Sequence, residues 1–514
     1  MAEPLEAPAS VGPLKWAKVV DHESCVGCHA CTTACKSENE VPLSVTRTYV
    51  KYADVGIFPQ ARRAFQVTRC NQCEDPPCTI ACPTTAMHQR PDGIVDFDKS
   101  ICIGCKACIA SCPYDAIFIN PEDHSAEKCN FCAHRLDVGL EPACVVVCPT
   151  EALMVGDMND PHSRVSQMVH REPVAVRRPE KDTRPKLFYR GAHQATLDPL
   201  AARRPEGGIF MWSQQLEGSH HVVAGNPEPS NSAAAARLAY DVPHQVPWDW
   251  RVGLYTLTKG VSAGVYLMAL LFVAFEAFDS TGAMWQWATP LVGLLFLGIT
   301  GGLLIWDLEH PERFLLIFTR SQWRSWLVRG SYIIGGYSLI LTLHLVASLL
   351  DKPALQLMAA WPTGLILAVL TSVYTAYLFA QARARDLWQS PLLPPHMLLQ
   401  TLMAGTAALV PCAAFLEPLA VAPLLRFLSA FSILHLLLIL GETTLTHATA
   451  HARLATHEMI KGRFAGAFWT GIVLTLAAVA APWLGAVLAA PVALLAILAF
   501  EHAYVQAGQS VPLA

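Results

Sequence analysis

Sixteen of the chain's 17 cysteines fall between Cys25 and Cys148, in four groups. Group one is Cys25, Cys28, Cys31 and Cys35; group two is Cys70, Cys73, Cys78 and Cys82. Group three is Cys102, Cys105, Cys108 and Cys112; group four is Cys129, Cys132, Cys144 and Cys148. Groups one and three have the spacing C-x2-C-x2-C-x3-C, while groups two and four carry longer middle gaps. Three cysteines two residues apart in a tight loop reach three corners of one iron–sulfur cubane. The fourth, three residues on, points away to a neighbouring cluster. Pro83, Pro113 and Pro149 follow the last cysteine of three groups, as suits a turn entering a helix. A zinc ribbon needs C-x2-C pairs but not the third and fourth cysteines at these intervals. Met1 to Trp16 shows no basic start followed by an apolar run and no twin arginine, so the thiols are expected in a reducing compartment as metal ligands.

The groups are expected to work in pairs, most simply two with three and one with four. One cluster then takes Cys70, Cys73, Cys78 and Cys112, and another Cys102, Cys105, Cys108 and Cys82. A third takes Cys25, Cys28, Cys31 and Cys148, and the fourth Cys129, Cys132, Cys144 and Cys35. Four [4Fe–4S] clusters are expected because all sixteen positions are cysteine. Lys106, Lys128, Arg69 and Arg135 lie close in sequence to these ligands and are candidates to raise cluster potentials, against the plainer reading of solvated surface charges.

The chain is 53% hydrophobic and 15% charged, and the apolar share gathers after Trp248. Eight runs approach the ~20 residues needed to cross the hydrocarbon core: Val252–Phe278, Ala288–Trp306, Trp326–Leu350, Ala359–Gln381, His396–Leu416, Leu419–Leu440, Ala465–Ala481 and Leu484–Ala503. Only Pro482-Trp483 separates the last two, which predicts a tight hairpin, with one broken helix as the alternative. Residues 1–160 are therefore expected to form a four-cluster domain, 161–247 an Arg- and Pro-rich connector wrapping that domain or a partner, and 248–514 a membrane anchor. Loops on the side of the termini carry Arg313, Arg320, Arg324, Arg329, Arg383, Arg385, Arg453, Lys461 and Arg463, against Lys352 and Arg426 opposite. Nine against two leads to the expectation of a cytoplasmic iron–sulfur part, the rival explanation being that the arginines pair with that part or with a site among the spans. A net charge of −4 without a basic block gives no reason to expect a nucleic-acid partner.

Three stretches carry a family resemblance: Cys102-Ile-Gly-Cys-Lys-Ala-Cys-Ile-Ala-Ser-Cys-Pro-Tyr114, Lys128-Cys-Asn-Phe-Cys-Ala-His-Arg135 and Pro142-Ala-Cys-Val-Val-Val-Cys-Pro-Thr-Glu-Ala152. Together they resemble the four-cluster subunits of the dimethyl-sulfoxide- and polysulfide-reductase families. Trp306-Asp-Leu-Glu-His-Pro-Glu-Arg-Phe314, Ser372-Val-Tyr-Thr-Ala-Tyr377 and Ala507-Gly-Gln-Ser-Val-Pro-Leu513 resemble NrfD/polysulfide-reductase-type anchors. The resemblance implies an α+β double ferredoxin-like iron–sulfur domain followed by an all-α membrane domain of eight transmembrane helices, two parts normally found as separate chains. It also implies the cluster pairing above, a quinone (menaquinone or ubiquinone), no haem, a bacterial inner membrane and a separate molybdopterin-containing catalytic subunit. No catalytic residue is expected on this chain.

Ionisable groups inside spans are costly and default to functional hypotheses. On that ground Lys259 and Glu442 are candidates for the quinone site or its proton path, with Asp307 and Arg313 flanking the loop on the head side, and the resemblance adds Tyr374, near Tyr377. Snorkelling, a structural ion pair or interface packing are the plainer readings for each. His344 and His435 lie within spans, where an interhelical hydrogen bond is the ordinary fate. Gly260-x3-Gly264 and the series Gly293, Gly298, Gly301, Gly302 allow close helix packing. Two alternatives to quinone-linked electron transfer are an ion-translocating module and a passive anchor for an electron carrier.

Overall fold

The structure is a computed structural model that describes residues 14–56, 59–203 and 236–514. Residues 1–13, and the part of the expected connector at 204–235, lie outside the described residues. Two compact units are present: a head of residues up to Gln245 together with Pro512–Ala514, and a helical unit, Val246–Val511.

The described strands of the head are β1 (Trp16–Asp21), β2 (Thr48–Val55), β3 (Arg62–Arg69), β4 (Met87–Gln89), β5 (Val95–Phe97), β6 (Ile117–Ile119), β7 (Ala126–Lys128), β8 (Leu153–Asp157), β9 (Val174–Ala175), β10 (Leu187–Arg190) and β11 (Arg237–Tyr240). β1 is flanked by β8 antiparallel and β10 parallel, with β9 beyond β10. β2 pairs with β3 and β11, while β4–β5 and β6–β7 are short hairpins. Each hairpin spans the gap between two cysteine groups, so the thiols sit on the turns and one-turn helices at its ends. Residues 161–203, expected to be connector, supply the Arg164–Arg171 helix, β9 and β10 to the head itself. Strands of two and four residues leave no periodicity to read, and β10 finds its partner in β1, at the other end of the head sequence.

In the helical unit seven helices are long and apolar enough to cross a membrane: Trp250–Ala274, Met284–Trp306, Trp326–Leu349, Pro353–Gln381, Leu393–Leu416, Pro418–Thr444 and Ala481–Ser510. The expected run at Ala465 forms a helix of only 15 residues, Ala465–Val479, about 22 Å at 1.5 Å per residue. It meets the Ala450–Ile460 helix at 69°, and the two together make an eighth crossing if they are one span. Asp249 caps the first span by accepting from Arg251 N at 2.9 Å. Gly264 of this span packs on Gly405 of the fifth: a Cβ on Gly264 would sit 2.8 Å from Gly405 N. The Gly260-x3-Gly264 reading thus describes a backbone-to-backbone crossing. The other glycine series does not: a Cβ on Gly298, Gly301 or Gly302 would meet nothing within 4 Å, and only Gly293 faces a neighbour, Leu341.

Candidate cluster sites and a buried polar cavity

Although far apart in sequence, the sixteen head cysteines sort into four quartets in space. Cys25 faces Cys28 and Cys148, and a hollow of ≈ 330 Å³, open mouth included, is lined by these three and Cys31. Cys82, Cys102, Cys105 and Cys108 line another, of ≈ 360 Å³. Cys35 faces Cys129, Cys144 and Cys132, and Asn39 Nδ2 lies 3.7 Å from the sulfurs of both Cys35 and Cys132. Cys78 faces Cys112, Cys70 and Cys73. In each quartet one sulfur comes from the last position of a different group, because the helix that holds or precedes it turns that side chain toward the neighbour.

Among the described residues no three His, Cys, Asp or Glu side chains converge closely enough to hold a single metal ion. The Cys25 and Cys102 quartets line hollows instead of meeting at a point. Such an arrangement could hold a four-iron cubane, in which each thiolate binds its own iron. All sixteen are free thiols. Burial pushes Cys31 up to about 11 and Cys35, Cys73 and Cys112 up to about 12, so that without cationic metal these thiols stay neutral. Cys144 is the exception: against the upward push of burial, Lys18 and Arg69 pull it down to about 7. Arg69 Nη1 donates to its sulfur at 3.0 Å, while Arg69 Nε and Nη2 are buried with no hydrogen-bond partner. Two orphaned donors beside a sulfur ligand fit acceptor sulfides at the same site.

The helical unit holds a second arrangement, a hollow of ≈ 280 Å³, open mouth included, where Lys259, Ser372, Gln400, Thr401 and Glu501 meet among apolar neighbours. Lys259, 2% exposed, donates to the Thr375 hydroxyl at 2.6 Å and the Ser372 carbonyl at 3.0 Å. Its ammonium lies 4.7 Å from the centre of the Tyr374 ring. Gln400 Nε2 is buried beside the Glu501 carboxylate, without a well-aligned hydrogen bond to it. Glu501 accepts from Thr256 at 3.3 Å. The crossing of the first and fifth spans at Gly264 and Gly405 brings Lys259 and Gln400 to one cavity.

Residues 241–505 match the family model described as Polysulphide reductase, NrfD, and residues 61–158 match a 4Fe-4S dicluster domain. The chain belongs to the NrfD family. The head of this NrfD-family chain is 43% identical to a tetrathionate reductase subunit of Salmonella typhimurium over 197 residues, 37% of this chain and 77% of the relative. It is 43% identical to a polysulfide reductase component of Wolinella succinogenes over 177 residues, 34% of this chain and 93% of the relative. Against the arsenate respiratory reductase iron-sulfur subunit of a Shewanella species it is 34% identical over 219 residues, 33% of this chain and 94% of the relative. These relatives match the head and the NrfD model matches the helical unit, so one NrfD chain is both an iron–sulfur electron-transfer subunit and its multi-pass membrane anchor.

Of the five quinone-site candidates, Lys259 lines the cavity and Tyr374 packs on its ammonium. Glu442 lies elsewhere, 3.0 Å from His396 Nδ1 but off the hydrogen-bond line. His396 Nε2 in turn meets His435 Nδ1 at 2.8 Å. Asp307 sits 3.4 Å from Arg251, and Arg313 is 3.7 Å from Glu312 in the loop. His344 is 3.4 Å from the Tyr266 hydroxyl. Sequence reasoning passed over Glu501, Gln400 and His396. Glu501 carried a signal, a carboxylate inside the apolar run Leu484–Ala503. Gln400 carried none, being an uncharged amide in a span.

Proposed function

We propose that this chain relays electrons through four [4Fe–4S] clusters, held by the four cysteine quartets, between a molybdopterin-containing catalytic subunit and the menaquinone or ubiquinone of a bacterial inner membrane. The observation that carries the reading is the sorting of sixteen thiols into four quartets. Bound clusters supply one-electron carriers; everything else is the work of this chain's own residues. The cysteines fix the clusters in a row. In the helical unit Lys259 and Gln400 offer buried donors, charged and neutral, to the two oxygens of a quinone. Ser372, Thr375 and Tyr374 hold the Lys259 ammonium in place, and Glu501 is a carboxylate at the same cavity to pass a proton. The excess of basic residues on one set of loops supports a cytoplasmic head.

The test is anaerobic purification followed by iron analysis and reduction with a short-chain quinol. About sixteen irons per chain and quinol-driven appearance of cluster signals are expected. Lys259→Met keeps the iron and slows quinol reduction of the clusters at least tenfold. Far fewer irons, or zinc in their place, overturns the cluster reading; unimpaired reduction in the variant returns the helical unit to a passive anchor.

The buried series Glu442, His396 and His435 favours a second reading, in which proton movement through the helical unit accompanies quinone turnover. In proteoliposomes this predicts a potential larger than scalar quinone chemistry supplies, lost in His396→Phe. No excess potential disposes of it.

A further inference from the structure

The quartets form a row whose order can be read from neighbouring sulfurs. Cys31 faces Cys144, Cys70 faces Cys129, and Cys108 faces Cys78. The Cys25 and Cys102 quartets are therefore outer and the Cys129 and Cys70 quartets inner. All eight inner thiols are buried, whereas Cys25, Cys28, Cys105 and Cys148 of the outer quartets reach the surface at least in part.

Adding an electron to a cluster adds a negative charge, and away from water that charge is poorly solvated. Burial alone would make the inner pair the hardest step of the row. Four buried cations stand where water is missing. Arg69, 1% exposed, and Lys18, 2% exposed, lie 3.0 and 3.8 Å from the Cys144 sulfur. Lys128, 0% exposed, donates to the Val95 and Cys129 carbonyls, the same two that the Gln72 amide reaches. Gln72 N lies 3.5 Å from the Cys70 sulfur, so the Lys128 charge sits beside Cys70 and acts on Cys70 and Cys78. Lys186, 3% exposed, acts on Cys70 and Cys73. Lys106 lines the outer Cys102 hollow but is half-exposed, and Arg135 is spent on Glu38 at 3.0 Å.

The placement is crossed. Arg69 immediately precedes Cys70 yet reaches the Cys129 quartet; Lys128 immediately precedes Cys129 yet faces the Cys70 quartet. Each strand, β3 and β7, delivers its first cysteine to one quartet and its last cation to the other. We propose that Arg69 and Lys128 are potential-setting residues acting crosswise, Arg69 on the cluster of Cys35, Cys129, Cys132 and Cys144, and Lys128 on that of Cys70, Cys73, Cys78 and Cys112. The inference rests on the quartets being cluster sites. Arg69 also faces Cys31, so its influence reaches the outer Cys25 quartet more weakly.

The test is a redox titration of the full chain followed by electron paramagnetic resonance, with waves assigned through Cys144→Ser and Cys78→Ser. Arg69→Gln makes the cluster affected by Cys144→Ser harder to reduce by tenfold or more in its equilibrium constant, about 59 mV for one electron. It leaves the wave affected by Cys78→Ser in place. Lys128→Gln does the reverse, and Arg69→Lys, which keeps the charge, recovers most of the shift. Iron content is measured on every sample. Loss of iron from the unaltered chain sinks the cluster reading; full iron with unmoved waves, or with each variant acting on the quartet beside it in sequence, sinks this inference alone. Should Arg69→Gln not assemble, Lys128→Gln by itself decides the crossing.

Discussion

His244 of the head offers a stability test whose sign and size follow from its surroundings. Its Nδ1 meets Asp115, and its Nε2 lies 3.1 Å from Asp241 Oδ1. Lys51 is 3.9 Å from Asp241, and the Tyr49 ring packs edge-on against the imidazole. Burial works against the imidazolium, but Asp241 and Asp115 outweigh it and raise the histidine from 6.5 to about 9. That gap corresponds to about 3 kcal/mol of stabilisation when the ring is charged, an upper figure for a buried pair. A group whose affinity for the proton rises on folding stabilises fully below its unfolded value. The contribution is therefore whole at pH 6 and fades as the pH climbs through about 9. His244→Gln should lower the apparent unfolding midpoint of the full chain by roughly 6–12 °C at pH 6. At pH 10 the two proteins should differ little, because the neutral ring offers its carboxylates no charge. Bleaching of the visible iron–sulfur absorbance during a thermal scan in detergent reads the head directly, and comparison of variant with parent cancels the titration of other groups. A difference that stays constant or grows with pH would refute the argument.

Two further outcomes follow from the helical unit. Gln400→Leu removes the buried amide donor beside Glu501 and should raise the KM for quinol about tenfold with kcat nearly kept, the pattern of a lost ground-state contact, read by steady-state quinol oxidation. Gly264→Val forces side-chain carbon against the Gly405 backbone and should cost about 3 kcal/mol or more, seen as a lower melting midpoint in detergent, whereas Gly298→Val should leave the midpoint unchanged.

The parts of this molecule that were legible beforehand are those with a strong local signature. Cysteine spacing carries the quartets because a cubane dictates both the two-residue steps and the turned-away fourth ligand. Apolar length carries most spans, and a lone lysine in a span, Lys259, announces itself by its cost. Legibility fails where partners are distant or signals are weak. β10 has four residues, and nothing in Leu187–Arg190 says that it will lie beside β1. At Ala465 an apolar count registers a run of span length but not the 69° bend between this short helix and the Ala450–Ile460 helix before it. Gly298, Gly301 and Gly302 have the spacing of a packing motif but face open space, since spacing does not tell which side of a helix meets protein. His396 and His435 come from different spans, and their 2.8 Å contact exists only once the fifth and sixth spans are laid together.

The exchange of cations between β3 and β7 has a consequence for how far this head can be pared down. A shortened version keeping only the Cys70 and Cys102 groups would forfeit Lys128, and one keeping only the Cys25 and Cys129 groups would forfeit Arg69. Either fragment would be asked to shelter an iron–sulfur centre in a dry interior with its chief compensating charge left behind on the discarded piece. The two halves are thus not interchangeable modules strung end to end; each is the other's solvent.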